Sequence, residues 1–375
     1  MKIVPRDNFH FFVDLSLGTI FIVGRRYACY NKITNLYGGK EMKKVTVGFI
    51  GCGGFARNMH MPILMDNEKY EIKAVMDINE EAAKEAAEQV SAEYYTTEID
   101  KILADDDIDL VFITTRHDSH ATLCVKAAKA GKHIMCEKPM ALNYEECRLV
   151  IEAVKKAGVK YTIGYNRGLA PMVTKAKELL DTINGKVMAY HRIQAPFPET
   201  HWTHIPDIGG GRFVGEGCHI FDLFSRLMDS EPVKVYAAGG TFLNQDIVKI
   251  PDSANVTITF ADGSVATTLI ASTGCAKFEK EATEIYCDNK AIFINGFKEM
   301  SYYGFDGHDK IEYNFDKVDK GQMVELDILA DAILNDTEAP NGLSVALKGA
   351  VISYKVLESL ETGMPVEILP EELKI

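Results

Sequence analysis

The sequence predicts an α/β chain in two parts: a doubly wound parallel sheet, then an α+β domain built on an antiparallel sheet. Three observations predict it. From residue 44 to residue 163, strand-like apolar runs alternate with helix-like segments, the rhythm of a parallel sheet with helices on both faces. From residue 186 onward, apolar and polar residues alternate in runs joined by short turns, as antiparallel strands do. The length, 375 residues, is too great for one ordinary core.

The first part is organised around residues 45–60, VTVGFIGCGGFARNMH. Residues 45–50 read as a buried strand that runs straight into Gly51-Cys52-Gly53-Gly54-Phe55-Ala56. That run fits G-x-G-x-x-A, the glycine turn of a dinucleotide-binding βαβ unit. Gly51 permits the tight turn, Gly53 lets the backbone approach a pyrophosphate, and Ala56 lets the helix pack close to the strand. The helix start then offers unpaired N–H groups to phosphates. A glycine turn alone is weak evidence. Here a second strand, 70–76, ends at Asp77, about where an acid should meet the ribose hydroxyls, and a helix follows over 79–90.

Residues 108–114, IDLVFIT, are the next strand, and Thr115-Arg116-His117-Asp118-Ser119-His120 is the loop after it. Loops at strand C-termini line the ligand crevice of such sheets. Asp118 or Ser119 is placed to cap the helix that runs to Ala130, and Gly131 ends it. The strand 133–136 leads to Glu137-Lys138-Pro139, where Pro139 restricts Lys138 to an extended conformation and pins a lysine at the sheet's C-terminal edge. A helix over 144–157 and a strand over 160–163 close the first domain, with Gly164-Tyr165-Asn166-Arg167 as the crossover and a helix over 171–180 beyond it.

In the second part, residues 187–193, 233–237, 254–260 and 264–270 read as strands, and Ala261-Asp262-Gly263 as a hairpin turn. Residues 284–287 and 291–295 form another hairpin, and helices over 323–334 and 344–360 finish the chain, stopped by Gly363 and Pro365. Between the early strands lies GGGRFVGEGCHIFD, residues 209–222. Its apolar periodicity from Cys218 to Leu227 marks a helix, with Glu216 and His219 one turn apart on the same face at its start. Taken alone, His219 reads as a core histidine.

A hydrophobic content of 47% with 25% charged residues supports full-sized cores. The net charge of −13 argues against a nucleic-acid or anionic-membrane partner, but not against a local basic pocket. The 8 cysteines include no C-x-x-C and no metal-ligand spacing. They read as reduced core residues of a cytoplasmic protein. The first 41 residues stand apart. Their apolar stretch, 9–23, is interrupted by Asp14 and Gly18 and is too short and broken for a membrane span. Because Met42-Lys43-Lys44 directly precedes the first strand, residues 1–42 are expected to be an upstream mis-assigned start or a disordered extension, with an arm that packs on a partner subunit as the rival. The expected domains are therefore 43–163 and 164–375.

The glycine turn, Asp77, Glu137-Lys138-Pro139 and G-G-G…G-C-H-I-F-D together resemble the glucose–fructose oxidoreductase, inositol dehydrogenase and rhizopine catabolism family, Gfo/Idh/MocA, over about residues 43–368. The resemblance implies an N-terminal Rossmann domain and a C-terminal domain with an open, mostly antiparallel sheet that serves as a homodimer or homotetramer interface. It implies hydride transfer between a nicotinamide cofactor and a sugar or cyclitol hydroxyl. In that scheme Lys138 stabilises the developing alkoxide and His219 is the general base. Two positions depart from the pattern. Many members carry an aspartate where this chain has Gly215, with Glu216 one residue later as a substitute. The common T-P-N-x-x-H loop reads here T-R-H-D-S-H, residues 115–120.

The chemistry agrees with that scheme. Oxidising a secondary alcohol needs a base near neutral pH and a fixed positive charge at the oxygen, and it needs no metal when the cofactor takes the hydride. Asp77 favours NAD over NADP, since a 2′-phosphate would meet a carboxylate. The expected cofactor contacts are Gly51, Gly53, Gly54, Phe55, Ala56, Asp77, Thr115, Arg116, His117, His120, Glu137 and Lys138. The catalytic set is Lys138, His219 and Glu216. Candidate pocket residues are Arg167, Trp202, His204 and Asp207 beside His219, with Trp202 offering a flat apolar face to a sugar ring. Two other readings stay open: an NAD-dependent glycosidase that oxidises, eliminates and reduces again, and a non-catalytic sugar or dinucleotide sensor on the same fold.

Overall fold

Val45–Ile50 (β1) is buried at every position but Thr46, as a strand covered on both faces must be. It lies at the centre of a six-stranded parallel sheet with Tyr70–Met76 (β2), Tyr94–Thr96 (β3), Leu110–Ile113 (β4), His133–Cys136 (β5) and Tyr161–Ile163 (β6), in the order β3-β2-β1-β4-β5-β6. The order reverses direction at β1, so the crevice outside the carboxyl ends of β1 and β4 is where a ligand belongs. The computed structural model describes residues 12–14, 19–21, 43–305, 307 and 310–375. Among the first 42 residues only a hairpin is described, with Phe12–Asp14 paired antiparallel to Thr19–Phe21. The remaining expectations for that stretch, and Cys29, lie outside the described residues.

The helices of the first part are Met61–Met65 (α1), Glu80–Val90 (α2), Ile99–Leu103 (α3), His120–Lys129 (α4) and Tyr144–Ala157 (α5). Their ends follow local chemistry. Asn79 Oδ1 accepts from the backbone N–H groups of Glu81 and Ala82 at the start of α2, and Asn143 Oδ1 accepts from Glu146 N at the start of α5. The cap expected for α4 from Asp118 or Ser119 is not made. Residues His117–Ser119 wind into a tighter turn, and Ser119 Oγ donates to Arg116 O at 2.8 Å.

Pro171–Leu180 (α6) leads into the second part. There Met188–Gln194 (β7), Pro232–Gly240 (β8), Ser253–Phe260 (β9), Val265–Ala271 (β10), Glu281–Cys287 (β11), Lys290–Asn295 (β12), Glu299–Tyr303 (β13), Ile311–Asn314 (β14) and Val366–Glu367 (β15) form one sheet in the order β14-β13-β12-β11-β7-β10-β9-β8-β15. Between β7 and β8 the chain makes a long excursion through Pro206–Gly209 (α7) and Cys218–Met228 (α8). It re-enters in the direction of β7, so β10, two hairpin strands later, meets β7 in parallel. The sheet is therefore mixed rather than wholly antiparallel. Strands β13, β14 and β15, and β3 in the first sheet, had no expectation in the sequence.

Gln322–Leu334 (α9) departs from the expected boundary. It follows the second sheet in sequence but packs on the first. Leu326, Leu329 and Ala330 share a core with Val45, Val47, Phe49 and Phe112, and Tyr70 donates to Leu326 O at 2.6 Å. Leu343–Thr362 (α10) joins the two sheets in one further core, placing Ala346, Val351 and Val356 with Ile113 and Ile163 on one side and Val235, Val256 and Ile270 on the other. No helix among the described residues is long and apolar enough to cross a membrane. The seven described cysteines are free, and Cys275 is exposed, unlike the others.

Candidate active site

The glycine turn is shaped by what surrounds it. Gly51 has φ +97, and a Cβ there would lie 2.9 Å from the carbonyl carbon and oxygen of Thr114, so no side chain fits. Beside Gly53 a Cβ would meet nothing within 4 Å, which leaves open space against the backbone. The helical segment begins at Gly54, is wound as a π-helix over Ala56–His60, and continues into α1. At the end of β2, Asp77 takes the Cys52 N–H on one oxygen at 2.8 Å and the Asn79 N–H on the other at 2.9 Å. An acid at the tip of the second strand, braced by the turn itself, fits the adenosine ribose of a dinucleotide.

The loop after β4 turns inward. His120 is buried with Nδ1 at 2.8 Å from Pro139 O and Nε2 at 3.2 Å from Thr115 O, so two carbonyls ask both ring nitrogens to donate. Burial opposes the charge, but Cys136 and these acceptors outweigh it and push the ring up to about 9. His117 behaves oppositely. Its Nδ1–H donates to Gly209 O at 2.8 Å, its ring stands edge-on to Trp202 at 4.6 Å, and burial, aided by the Lys138 charge, pushes it down to about 2.

At the end of β5, Glu137 is buried with one oxygen 2.7 Å from His60 Nε2, and a cis peptide bond joins Lys138 to Pro139. Lys138 lines a cavity of about 570 Å³ together with Phe55, His117, Trp202 and His219. The Lys138 ammonium makes no ion pair among the described residues. His219 opens the second turn of a helical stretch whose first turn, Phe213–Gly217, is π-wound. It is buried, with Tyr165 edge-on at 5.9 Å and no hydrogen-bond partner for Nδ1 among the described residues. Burial, then the charges of Arg167 and Lys138, holds it well below the ordinary imidazole range, so it is neutral.

Two carboxylates brace the far wall. Glu281, at the start of β11, takes a bidentate pair from Arg167 (Nε 2.7 Å, Nη2 2.9 Å) and the Lys320 ammonium at 2.6 Å. Glu216 takes Lys280 Nζ at 2.7 Å and touches the Arg212 guanidinium. Burial would raise the Glu216 carboxyl, but Arg212 and Lys280 hold it at about 2, and Glu281 is likewise held well below the carboxylate range by Arg167 and Lys320 against its burial.

Comparison with known proteins decides the family. The profile described as "Oxidoreductase family, NAD-binding Rossmann fold" matches residues 45–165, and that of the "GFO/IDH/MocA C-terminal domain" matches 175–293. The chain belongs to the GFO/IDH/MocA family. It is an NAD-binding oxidoreductase of the dehydrogenase kind, acting on CH–OH groups. Among its relatives, the uncharacterized oxidoreductase YrbE of Bacillus subtilis (strain 168) is 29% identical over 344 residues, 87% of this chain and 97% of that protein. The myo-inositol 2-dehydrogenase of Thermotoga maritima is 29% identical over 58% of this chain and 66% of its own length. The fold is that of the aldose-aldose oxidoreductase of Caulobacter crescentus, with a TM-score of 0.77 at 24% identity, covering 87% of this chain and all of that one.

Within this GFO/IDH/MocA frame, the residues expected from sequence divide. Phe55, His117, Lys138, Arg167, Trp202, Glu216 and His219 share the cavity wall. Gly51, Gly53, Gly54, Ala56 and Asp77 form the turn beside it. Thr115 Oγ1 pairs with Ser119 Oγ at 2.6 Å, and Arg116 lies 5.9 Å over the Trp202 ring. Four expectations need correction. Glu137 is sealed against His60 rather than exposed to a cofactor. Asp207 is exposed on the single turn α7 and lies outside the cavity wall. His204 is buried edge-on to Phe197 at 5.1 Å, also outside that wall. Glu216, expected to act on His219, is instead claimed by Arg212 and Lys280. Sequence reasoning missed Arg212, Lys280, Lys320 and Glu281. Arg212 stood inside the quoted glycine run, but nothing local marked the others.

Proposed function

We propose that the chain transfers hydride between NAD and a secondary hydroxyl of a sugar, cyclitol or glycoside. The carrying observation is that Lys138 and His219, from different domains, line one cavity beside the glycine-turn residue Phe55. NAD, when bound, accepts the hydride from the carbinol carbon. His219, neutral before reaction, takes the hydroxyl proton on its ring. Lys138, which makes no ion pair among the described residues, holds the oxygen as negative charge grows. Glu216 serves by fixing Arg212 and Lys280 rather than by touching the base. Asp77 accepts both adenosine ribose hydroxyls and turns away a 2′-phosphate. The myo-inositol 2-dehydrogenase relative and the levoglucosan dehydrogenase relative, 30% identical over 48% of this chain, support a sugar or cyclitol class.

The test is a panel of polyols, sugars and glycosides with NAD and NADP, read by reduced-nicotinamide absorbance. Release of aglycone without net NADH would instead favour the glycosidase reading. Binding without turnover would favour a sensor.

The second sheet supports a homodimer or homotetramer. Its outer face carries Met188 and its cross-strand neighbour Tyr286, 63% and 49% exposed, with Tyr236 and Phe293 on the same face. Apolar side chains in such an array are covered in an assembly. Light scattering of the eluted protein reads this directly. The free state of the seven described cysteines fits a reducing compartment and supports a cytoplasmic location as part of this proposal.

A further inference from the structure

The cavity carries a charge opposite to that of the chain. Its wall holds the cations Lys138, Arg167, Arg212, Lys280 and Lys320. Against these five stand two carboxylates, Glu216 and Glu281, each shared between two cations. The five cations outnumber the two carboxylates they pair with by three, in a chain whose net charge is −13.

Arg212 is the sharpest sign. It is 2% exposed, stacked on Phe197 at 4.3 Å, with Nη1 donated to Ser272 Oγ at 3.1 Å and Glu216 in contact. Its Nε–H has no acceptor among the described residues. That donor is sealed from solvent, so Arg212 contributes to the cavity as a fixed, buried positive charge, and the partly exposed Lys280 beside it is the cation a ligand can reach. The cofactor is not placed to balance these charges. Its diphosphate belongs to the glycine turn, whose Gly51 and Gly53 are not part of this wall, whereas Arg212, Lys280 and Lys320 all come from beyond residue 163. The oxidised nicotinamide would add a further positive charge.

We propose that the substrate is an anionic sugar, whose carboxylate or phosphate is received by Lys280 beside the buried charge of Arg212 while its reacting hydroxyl lies at Lys138 and His219. This rests on the dehydrogenase reading above and names its substrate class. A neutral polyol would leave the surplus charge desolvated and unpaired. An anion cancels it, and the positive cavity draws such a substrate in. The base benefits too. Burial, then the charges of Arg167 and Lys138, hold His219 neutral and make it reluctant to take a proton, and a substrate anion in the cavity offsets those charges.

The test compares D-glucuronate, D-galacturonate and glucose 6-phosphate with glucose, galactose, glucuronamide and myo-inositol, using the full chain and NAD. At least one acidic probe should exceed its neutral counterpart in kcat/KM by on the order of 10²-fold, and the gap should shrink at high salt. Uronate against glucose 6-phosphate separates carboxylate from phosphate. Lys280 is partly exposed, and Lys280→Gln should lower kcat/KM for the acidic probe about ten-fold or more, chiefly through KM. Neutral sugars turned over as well as their acidic counterparts would overturn the inference and leave the dehydrogenase reading standing. If no probe yields NADH, that reading fails for these sugars, and calorimetry on the NADH-loaded protein decides. Preferential binding of an acidic probe, weakened in Lys280→Gln, supports the anion site. Equal or absent binding of acidic and neutral probes overturns it.

Discussion

Placing a methyl group at Gly215 should destabilise the protein only while His117 is present. A Cβ at 215 would lie 2.8 Å from His117 Cε1, at least about 0.6 Å inside ordinary contact. The ring cannot yield freely. It is buried, its Nδ1–H is committed to Gly209 O, and Trp202 stands against it at 4.6 Å. Overpacking of this kind costs about 1–3 kcal/mol. Gly215 lies in a helical turn without positive φ, so the added Cβ would otherwise gain about 0.5–1 kcal/mol in backbone entropy. Gly215→Ala should therefore lower stability in the natural chain and raise it in His117→Ala, with a coupling of about 1–3 kcal/mol. Urea midpoints of the four proteins measure this. A coupling below about 0.5 kcal/mol would show that the ring moves aside and that the reasoning is wrong. The consequence reaches function. Gly215→Asp should be accepted only alongside His117→Asn, an outcome that would tie positions 117 and 215, where the chain departs from the pattern its resemblance implies, into one steric exchange.

His219→Ala and Lys138→Ala should each lose on the order of 10²–10⁴ in turnover while still binding NADH, with the double variant little worse than either. Near-normal turnover in His219→Ala would reduce that histidine to a packing residue. Because His219 is held below 6.5 in the free enzyme, kcat/KM for oxidation should stay level as pH falls from 8 to 6.5. An acid limb centred at or above 6.5 would contradict this. Glu325 is fully buried, and burial, with Glu137 nearby, raises its carboxyl well above 4.5, so the fold keeps a proton that the unfolded chain releases above that pH. That contribution is present below 4.5 and lost as pH rises through the folded value, so Glu325→Gln, which keeps the Asn341 contact, should gain melting temperature over the natural chain at pH 8 more than at pH 5. An equal difference at both pH values would count against it. Asp77→Ser should narrow the preference for NAD over NADP, measured as the ratio of kcat/KM values, and an unchanged ratio would move the discrimination elsewhere.

The first domain was legible because its signals are local. A strand covered on both faces must be apolar along its length, and Gly51, at φ +97 against Thr114, admits no other residue. Lys138 and His219 were legible as a pair only through the family resemblance, since 81 residues separate them and the packing of α8 and α10 brings their walls together. The mixed second sheet was not legible in full. The direction in which β8 enters depends on how far the chain travels through α7 and α8, and alternation along a strand is the same in either direction. Nor was the placement of α9, whose apolar face suits either sheet and whose partner is chosen by Tyr70 and the back of β1.

The charge of the site escaped the sequence for a different reason. Glu216 and Lys280 are 64 residues apart, and Arg167 and Glu281 are 114 apart. In a linear reading each is an ordinary charged residue on a strand edge, a turn or a helix start. Only Arg212 and Glu216 share a helical spacing, and that pair alone looks like a neutral surface bridge. Folding adds the third member to each group. A carboxylate given two cations is no longer neutralised but overcharged, and two such groups facing one cavity turn a net-acidic chain positive where it meets its substrate. The same arrangement decides what Glu216 can do. Ionised and held at about 2 by Arg212 and Lys280, it spends its charge on those two cations and makes no hydrogen bond to His219 among the described residues. Glu281 already offsets part of the positive field at His219, and the proposed anionic substrate would offset more of it.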